Sequence, residues 1–464
     1  MINYCFNHKD TYCTPQKNYS LRLQKTDDKI EIIKEKKIPD KAAFLLDRTR
    51  IHPKHITADN VSDQLANIGH IGFEVTDACN LQCYYCAYRK FYADYDTRKN
   101  QYLDIQKAKM LLDFVLEKSG TPANKSPRKE MLINFYGGEP LLNMDFITEM
   151  VAYTQSREND RIQFKYSMTT NGVLLKKYLP FFIRYDFDIL VSLDGSKEHD
   201  AYRLFHNGKP SFDAVYGNMM YIRDNYPVFF EKNILFNAVV QNLSNKQEVF
   251  RFFQREFNKT PSFANVNPVG IRPELEKEFE VMATPRQEIP DPQSDVEMKR
   301  VMDLNYDQTR KLQNFIFLYS GNKYNDYNDL FFKKEPVSYI SGGTCFPFSK
   351  KIFMTVNNKL LPCERIGQQF FFGRMTDNGV EIDCEEIAQK YNHYCDALKE
   401  LCKPCYHVSN CMECMFGIKN LERKPVCSKL VKKKGFDDYL RKGIEQLANA
   451  PELYKRIMDE VFSV

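Results

Sequence analysis

The chain has 464 residues, 43% of them hydrophobic, and its 66 basic and 61 acidic side chains leave a net charge of +5. A length of this order accommodates about three domains, or one barrel with additions, and buries a core without covalent staples. Interspersed, nearly balanced charge argues against nucleic acid as the main partner. No apolar run reaches the ~20 residues of a membrane span, and the N-terminus lacks the apolar segment of a signal peptide, so a cytoplasmic, thiol-reducing setting is expected.

Residues 1–66 are polar and mixed, with one strand-like run at 30–34. Apolar or β-branched runs then recur at 71–76, 131–136, 164–170, 188–193, 234–240 and 263–269. Helical patterns stand between most of them, at 105–118, 144–153, 212–223 and 246–257. This alternation predicts parallel strands joined by crossover helices, and six such units predict a partial barrel. Residues 271–297, rich in proline and acids, read as a linker or surface insertion. A helical pattern covers 296–319. Beyond it lies a Cys-rich region of short hairpins with little core, which needs metal to hold it. The last thirty residues pattern as an amphipathic helix interrupted at Pro451. The predicted fold class is α/β, a partial (β/α)6 TIM-like barrel followed by a small Cys-rich α+β domain. Its expected divisions are an N-terminal extension (1–66), the barrel (67–270), a linker with a bridging helix (271–340), the Cys-rich domain (341–430) and a helical tail (431–464).

Fourteen cysteines are spread unevenly: Cys5 and Cys13, then Cys79, Cys83 and Cys86, then nine between Cys345 and Cys427. In a reducing compartment, clusters at short spacing read as metal or iron–sulfur ligands. The triplet follows the first barrel strand, and loops at strand C-terminal ends build barrel active sites. Three thiolates can hold three irons of a [4Fe–4S] cube and leave the fourth open for chemistry. A zinc knuckle with a distant fourth ligand is the alternative. Cys402-x2-Cys405-x5-Cys411-x2-Cys414, with Cys427, is a second metal signal, for which zinc is again the alternative.

The spacing Cys79-x3-Cys83-x2-Cys86, with Tyr85 before the last cysteine, resembles the radical S-adenosylmethionine (SAM) enzymes, and further segments match in order. Gly137-Gly138-Glu139-Pro140 resembles the family segment that holds the methionine amino group, and close approach to that ligand would explain the glycines. Thr169-Thr170-Asn171-Gly172 and Ser192-Leu193-Asp194-Gly195 end the third and fourth strands, the serine where the family's serine reaches the ribose. Arg203, in Asp200-x-x-Arg203, stands where the family's arginine meets the methionine carboxylate, and Tyr85 where a backbone contacts adenine. The resemblance implies a [4Fe–4S] cluster on the three cysteines and SAM on Tyr85, Gly137, Gly138, Glu139, Pro140, Thr170, Asn171, Ser192, Asp194 and Arg203. It also implies reductive cleavage of SAM to a 5′-deoxyadenosyl radical that abstracts a substrate hydrogen atom.

The C-terminal cysteines resemble the SPASM domain of peptide- and protein-modifying members, which carries auxiliary [4Fe–4S] clusters. The resemblance assigns Cys402, Cys405, Cys411 and Cys427 to an outer cluster and Cys345, Cys363 and Cys414 to an inner one. The family's further cysteine before Cys345 is missing, and the last pair is spaced x2 rather than x3, so one or two auxiliary clusters are implied. Cys384 and Cys395 read as ordinary small hydrophobes. Asn358 replaces a family glycine at a turn that asparagine tolerates. Glu364 stands where sulfatase-maturing relatives have a catalytic aspartate and is a candidate proton acceptor. The implied function is a maturase forming a thioether or carbon–carbon crosslink in a ribosomally made precursor peptide, served by a flavodoxin- or ferredoxin-like reductant. The alternatives are an anaerobic sulfatase-maturing enzyme that makes formylglycine and a non-enzymatic metal scaffold.

Overall fold

Every strand expected between residues 70 and 266 forms, and all join one sheet. The computed structural model describes residues 11–14, 19–26, 29–35, 55–126, 129–287, 343–406, 408, 411, 413–436, 438–439 and 442. The chain divides into two units: Ile56–Ile289 with Cys345–Lys390, and Met1–His55 with Pro290–Thr344 and Tyr391–Val464. In the second of these, β1 (Thr11–Thr14), β2 (Tyr19–Thr26) and β3 (Lys29–Glu35) form an antiparallel meander. The sequence marks only part of β3. The helical pattern at 296–319 and the tail from 443 lie outside the described residues.

The other unit begins with α1 (Ala58–Ala66), capped by Thr57 and Asn60, and leads into β4 (His70–Thr76). Parallel strands follow in sheet order: β5 (Glu130–Gly137), β6 (Gln163–Thr170), β7 (Asp188–Ser192), β8 (Ile234–Val240) and β9 (Ser262–Asn265). Between them run α2 (Ile105–Ser119), α3 (Met144–Gln155), α4 (Leu175–Arg184), α5 (Phe212–Asn225), α6 (Pro227–Asn233) and α7 (Lys246–Phe257). Six parallel strands in chain order with crossover helices are the expected partial barrel. Of the crossover helices the sequence hides α4, whose pattern Pro180 interrupts, and the short α6. Leu175, Leu179 and Phe182 still bury one face and offset the lost N–H.

With no tryptophan, phenylalanine fills the layer between sheet and helices. Phe236 on β8 lies 4.8 Å from both Phe253 and Phe257 of α7, centroid to centroid, and Phe253 is fully buried. Cutting Phe253 to alanine removes a ring that nothing nearby can replace. We expect F253A to lose about 3–5 kcal/mol in a denaturant melt.

Two features depart from the sequence reading. The hairpin β10 (Ile352–Met354)/β11 (Lys359–Leu361) does not stand apart, since β10 pairs in parallel with β4, Ile352 opposite Ile71. β12 (Gly373–Thr376) and β13 (Gly379–Glu381) continue outward, making ten strands. An open barrel leaves the β4 edge with unpaired backbone groups, and β10 satisfies them. Asn358 takes its expected left-handed conformation in the β10–β11 turn, φ 62°. The stretch read as a surface insertion contains α8 (Glu276–Ala283), whose Phe279 and Met282 are buried against Phe91 and Tyr92. A further helix, α9 (Cys384–Cys402), is started by Asp383, whose carboxylate accepts from the backbone N–H groups of Glu385 and Glu386. Among the described residues no helix is long and apolar enough to cross a membrane.

Candidate active site at the strand C-terminal ends

The segment after β4 is fixed before it reaches the first cysteine. Thr76 donates through its hydroxyl to the Gln101 carbonyl (2.7 Å), and the buried Asp77 carboxylate accepts from the N–H groups of Lys99 (2.7 Å) and Gln101 (2.6 Å). From the β5 side, Gly138 N–H donates to the Thr76 carbonyl and Glu139 N–H to the Ala78 carbonyl, both at 2.8 Å. A Cβ on Gly138 would stand 2.0 Å from the Ala78 oxygen, and one on Gly137, at φ 132°, 2.3 Å from the Thr76 oxygen. The two glycines therefore make room for the chain's own cysteine loop rather than only for a ligand, as the sequence reading had it. Past Cys79 the loop is held again: Gln82 and Tyr84 N–H donate to the carbonyls of Leu204 (2.7 Å) and Tyr202 (2.9 Å). His206 Nε2 lies 2.7 Å from the Cys79 carbonyl.

Cys79, Cys83 and Cys86 share this loop and feel one another's charge. Burial, then the charges of Cys86 and Cys79 together with Asp194, pushes the Cys83 thiol up to about 12 against the pull of Arg203. Burial likewise raises Cys79, against the Leu81 N–H that donates to its sulfur at 3.4 Å. Asn171 Nδ2 reaches the Cys79 sulfur at 3.9 Å, and an Arg98 guanidinium nitrogen the Cys86 sulfur at 3.7 Å. Three half-buried thiols on one loop, two of them raised by burial and met by N–H donors aimed at sulfur, fit a thiolate-bound iron–sulfur cluster whose iron supplies the missing positive charge. Among the described residues no three His, Cys, Asp or Glu side chains converge on a single-ion site.

The other residues singled out in the sequence fall into two buried networks at the same end of the sheet. Glu139, fully buried, accepts from the Thr170 hydroxyl (2.7 Å), the Asn171 N–H (2.8 Å) and the Leu141 N–H (3.1 Å), with burial raising its pKa against these donors. It bolts β5 to β6, while Pro140 opens the short 3-10 turn behind it. In the second network the Tyr85 hydroxyl donates to Asp194, and Arg203 donates to the Tyr85 oxygen at 3.0 Å. Asp194 also accepts from the Val239 N–H at 3.1 Å, and Asp200 from the Asp194 N–H at 3.0 Å. Burial, then the charge of Asp194, raises Asp200 well above the carboxylate range despite Arg203, so one guanidinium serves two acids. The Arg203 Nε has no hydrogen-bond acceptor, only Asp200 at 3.8 Å. Ser192 ends β7 beside Asn237 of β8.

Cys363 and Glu364 follow β11; burial, then the Glu364 charge and more weakly Cys345, push the Cys363 thiol up to about 12. Lys351 binds Glu364 at 2.9 Å; burial is the largest single influence and raises this carboxyl, but the charge and hydrogen bond of Lys351, with the backbone and Arg365, together outweigh it and hold the pKa below its ordinary value. That makes Glu364 a weaker proton acceptor than its position implies. His70, at the start of β4, is lowered to about 4 by burial and by Lys351. An unfolded histidine protonates near 6.5 while the folded one stays neutral, so this group's stabilisation is complete above pH 6.5 and lost as pH falls toward 4. We expect about 2–3 kcal/mol of stability to disappear across that window and H70N to flatten it, read from chemical melts at successive pH values.

Of the remaining cysteines described, all but Cys384 lie in the other unit. Burial, then the charges of Cys411, Cys405, Cys427 and Cys395, raises Cys402 to about 12, which gathers the four residues assigned to an outer cluster. The Val431 N–H donates to the Cys405 sulfur at 3.5 Å. Cys414 heads the short 3-10 turn Met415–Gly417. Cys395 is buried on α9; Cys384 starts that helix with Lys118 and Asp383, not cysteines, as its charged neighbours. Sequence reasoning missed Arg98, Tyr88, Glu74 and Lys351. Arg98 sits in an ordinary polar stretch, and only the run of tyrosines at 84, 85, 88, 92 and 95 marks its surroundings.

Residues 73–253 match the Radical SAM superfamily. A segment covering 38% of the chain is 34% identical to the "Cysteine-type anaerobic sulfatase-maturating enzyme" of Clostridium novyi, over 46% of that protein. A segment covering 44% is 26% identical to the "Radical SAM cyclopropyl synthase TigE" of Paramaledivibacter caminithermalis, over 41% of that protein. The chain thus spans about half the length of these curated relatives or less. The solved structure "Native anSMEcpe with bound AdoMet and Cp18Cys peptide" shares the fold, with TM-score 0.50 at 18% identity, covering 84% of this chain and 99% of its own. By these matches residues 73–253 form a Radical SAM superfamily domain within the longer chain.

Proposed function

We propose that the chain is a peptide-modifying maturase that removes a hydrogen atom from a precursor peptide and forms a thioether or carbon–carbon crosslink in it. The observation that carries this reading is the cysteine loop itself: three half-buried, mutually interacting thiols held at the C-terminal ends of β4 and β5. In the reading, Cys79, Cys83 and Cys86 hold a [4Fe–4S] cluster, and Asn171, Ser192, Asp194, Arg203 and the Tyr85 backbone face SAM. Gly137, Gly138, Glu139, Pro140 and Thr170 position them. The cluster and SAM, when bound, supply a 5′-deoxyadenosyl radical that abstracts hydrogen. The chain's residues do the rest. The loop bolts fix the three sulfurs, the Arg203 guanidinium offers its unpartnered Nε to an anionic group, and the aromatic surround excludes water. Cys402, Cys405, Cys411 and Cys427 hold an outer auxiliary cluster, Cys345, Cys363 and Cys414 serve an inner one, and residues 1–66 contact the peptide. A flavodoxin- or ferredoxin-like protein delivers electrons.

A peptide substrate is supported by the sulfatase-maturating relative and by the solved neighbour, which holds a bound peptide. That relative also favours the second reading, conversion of a cysteine or serine to formylglycine. The Lys351–Glu364 pair weighs against it, because a carboxylate held ionised below its usual range accepts a proton poorly. Anaerobic turnover with SAM and dithionite tests both. Release of 5′-deoxyadenosine is expected, with the peptide losing two hydrogens and resisting aldehyde reagents. An aldehyde-reactive product selects formylglycine, and no SAM cleavage by iron-loaded protein overturns both readings.

A further inference from the structure

The segment that clamps the cysteine loop also carries a charge to it. Asp77 pulls the backbone of Lys99 and Gln101 against the end of β4, and Arg98, the residue before this clamp, is thereby directed back over the loop. Its guanidinium lies 4.0 Å from the centre of the Tyr88 ring and donates to the Cys86 sulfur at 3.7 Å. Tyr88 is itself fixed, since its hydroxyl donates to the buried Glu74 carboxylate at 2.7 Å, and Glu74 takes a second donor, the Val356 N–H of the β10–β11 turn, at 3.0 Å. The guanidinium is thus stacked, aimed and backed by three elements, while its Nε, buried, has no acceptor. A cation so built beside a ligand sulfur has a definite electrostatic effect. Hydrogen bonds to cluster sulfurs and local positive charge stabilise the more negative, reduced cluster.

We propose that Arg98 is a positioning residue for the reaction that sets the reduction potential of the Cys79/Cys83/Cys86 cluster through its contact with the Cys86 sulfur. The inference rests on the reading that these three cysteines hold the cluster. Arg98 makes the cluster easier to reduce, and Tyr88 with Glu74 holds the guanidinium at the sulfur. The loop from Glu74 through Val356 also ties this sulfur contact to the turn preceding Cys363.

The test is a redox titration of anaerobically reconstituted full-length protein, followed by EPR on the signal component that changes when SAM is added. That component separates this cluster from any auxiliary one. R98M and R98Q remove the charge, and R98K keeps it without the planar fork. For R98M and R98Q at full iron content we expect about a tenfold shift of the one-electron equilibrium against reduction, ~59 mV more negative. R98K should fall between them and the parent. An unchanged midpoint in either loaded variant overturns the assignment, and loss of iron from both overturns it in favour of a purely structural role. Absence of any SAM-sensitive signal in the parent protein instead overturns the cysteine reading, and the Arg98 role with it.

Discussion

Replacing Cys79, Cys83 and Cys86 together with alanine should remove about four irons per chain and abolish SAM cleavage, while iron bound elsewhere stays in place. The size of the effect follows from how the thiols are held. Cys83 is buried deeply enough to be pushed up to about 12, so in the metal-free state its proton is retained and a positive centre is needed to displace it. Removing one thiolate would leave a second iron without a protein ligand; removing three would leave nothing to hold the cluster. Iron and sulfide analysis after anaerobic reconstitution reads the result. A fall from about 12 to about 8 irons means two auxiliary clusters accompany the catalytic one, and a fall from about 8 to about 4 means one does. Zinc in place of iron in the parent protein would refute the cluster reading.

Much of this site was legible in the sequence because its chemistry is local. Three thiols in eight residues, two adjacent glycines before Glu139, and an acid–arginine pair three apart each stand out without a structure. Strand ends were legible too, since period-two and buried apolar runs mark β4 to β9, and the loops follow from them. What stayed hidden depends on pairing across the fold. Nothing in Ile352–Met354 says that it completes the β4 edge, because a short apolar run pairs equally well within its own hairpin. Glu364 looks like a proton acceptor in the linear chain and becomes a tethered carboxylate only once β10 brings Lys351 to it. Arg98 has no local signature, since its meaning comes from Asp77 on one side and Tyr88 on the other. The α9 helix was masked by its cysteines. Its buried residues Ile387, Ala388, Tyr391, Tyr394, Cys395 and Leu398 follow helical spacing once the metal reading is set aside.

G138A should separate the backbone geometry of the site from its chemistry. The substitution adds one methyl and no charge, touches no proposed ligand, and lies on a φ that alanine tolerates. Yet its Cβ would sit 2.0 Å from the Ala78 oxygen and 2.8 Å from that of Asp77, both backbone atoms that cannot rotate away. Relief must come from moving residues 77–78 off β5, which breaks the Gly138–Thr76 and Glu139–Ala78 hydrogen bonds that seat the cysteine loop. Overpacking of this kind costs about 1–3 kcal/mol, and two strained backbone bonds add to it. The displaced residue next in line is Cys79. We therefore expect G138A to lose the catalytic cluster's iron and at least a hundredfold of SAM-cleaving activity, with auxiliary iron retained. A comparable substitution at Gly208, where a Cβ would meet nothing within 4 Å, supplies the contrast, since its cost is confined to the local strain of φ 79°. If G138A keeps full iron but loses activity, the glycine serves a ligand rather than the loop; if it keeps both, the loop is not seated through Gly138 and the prediction fails.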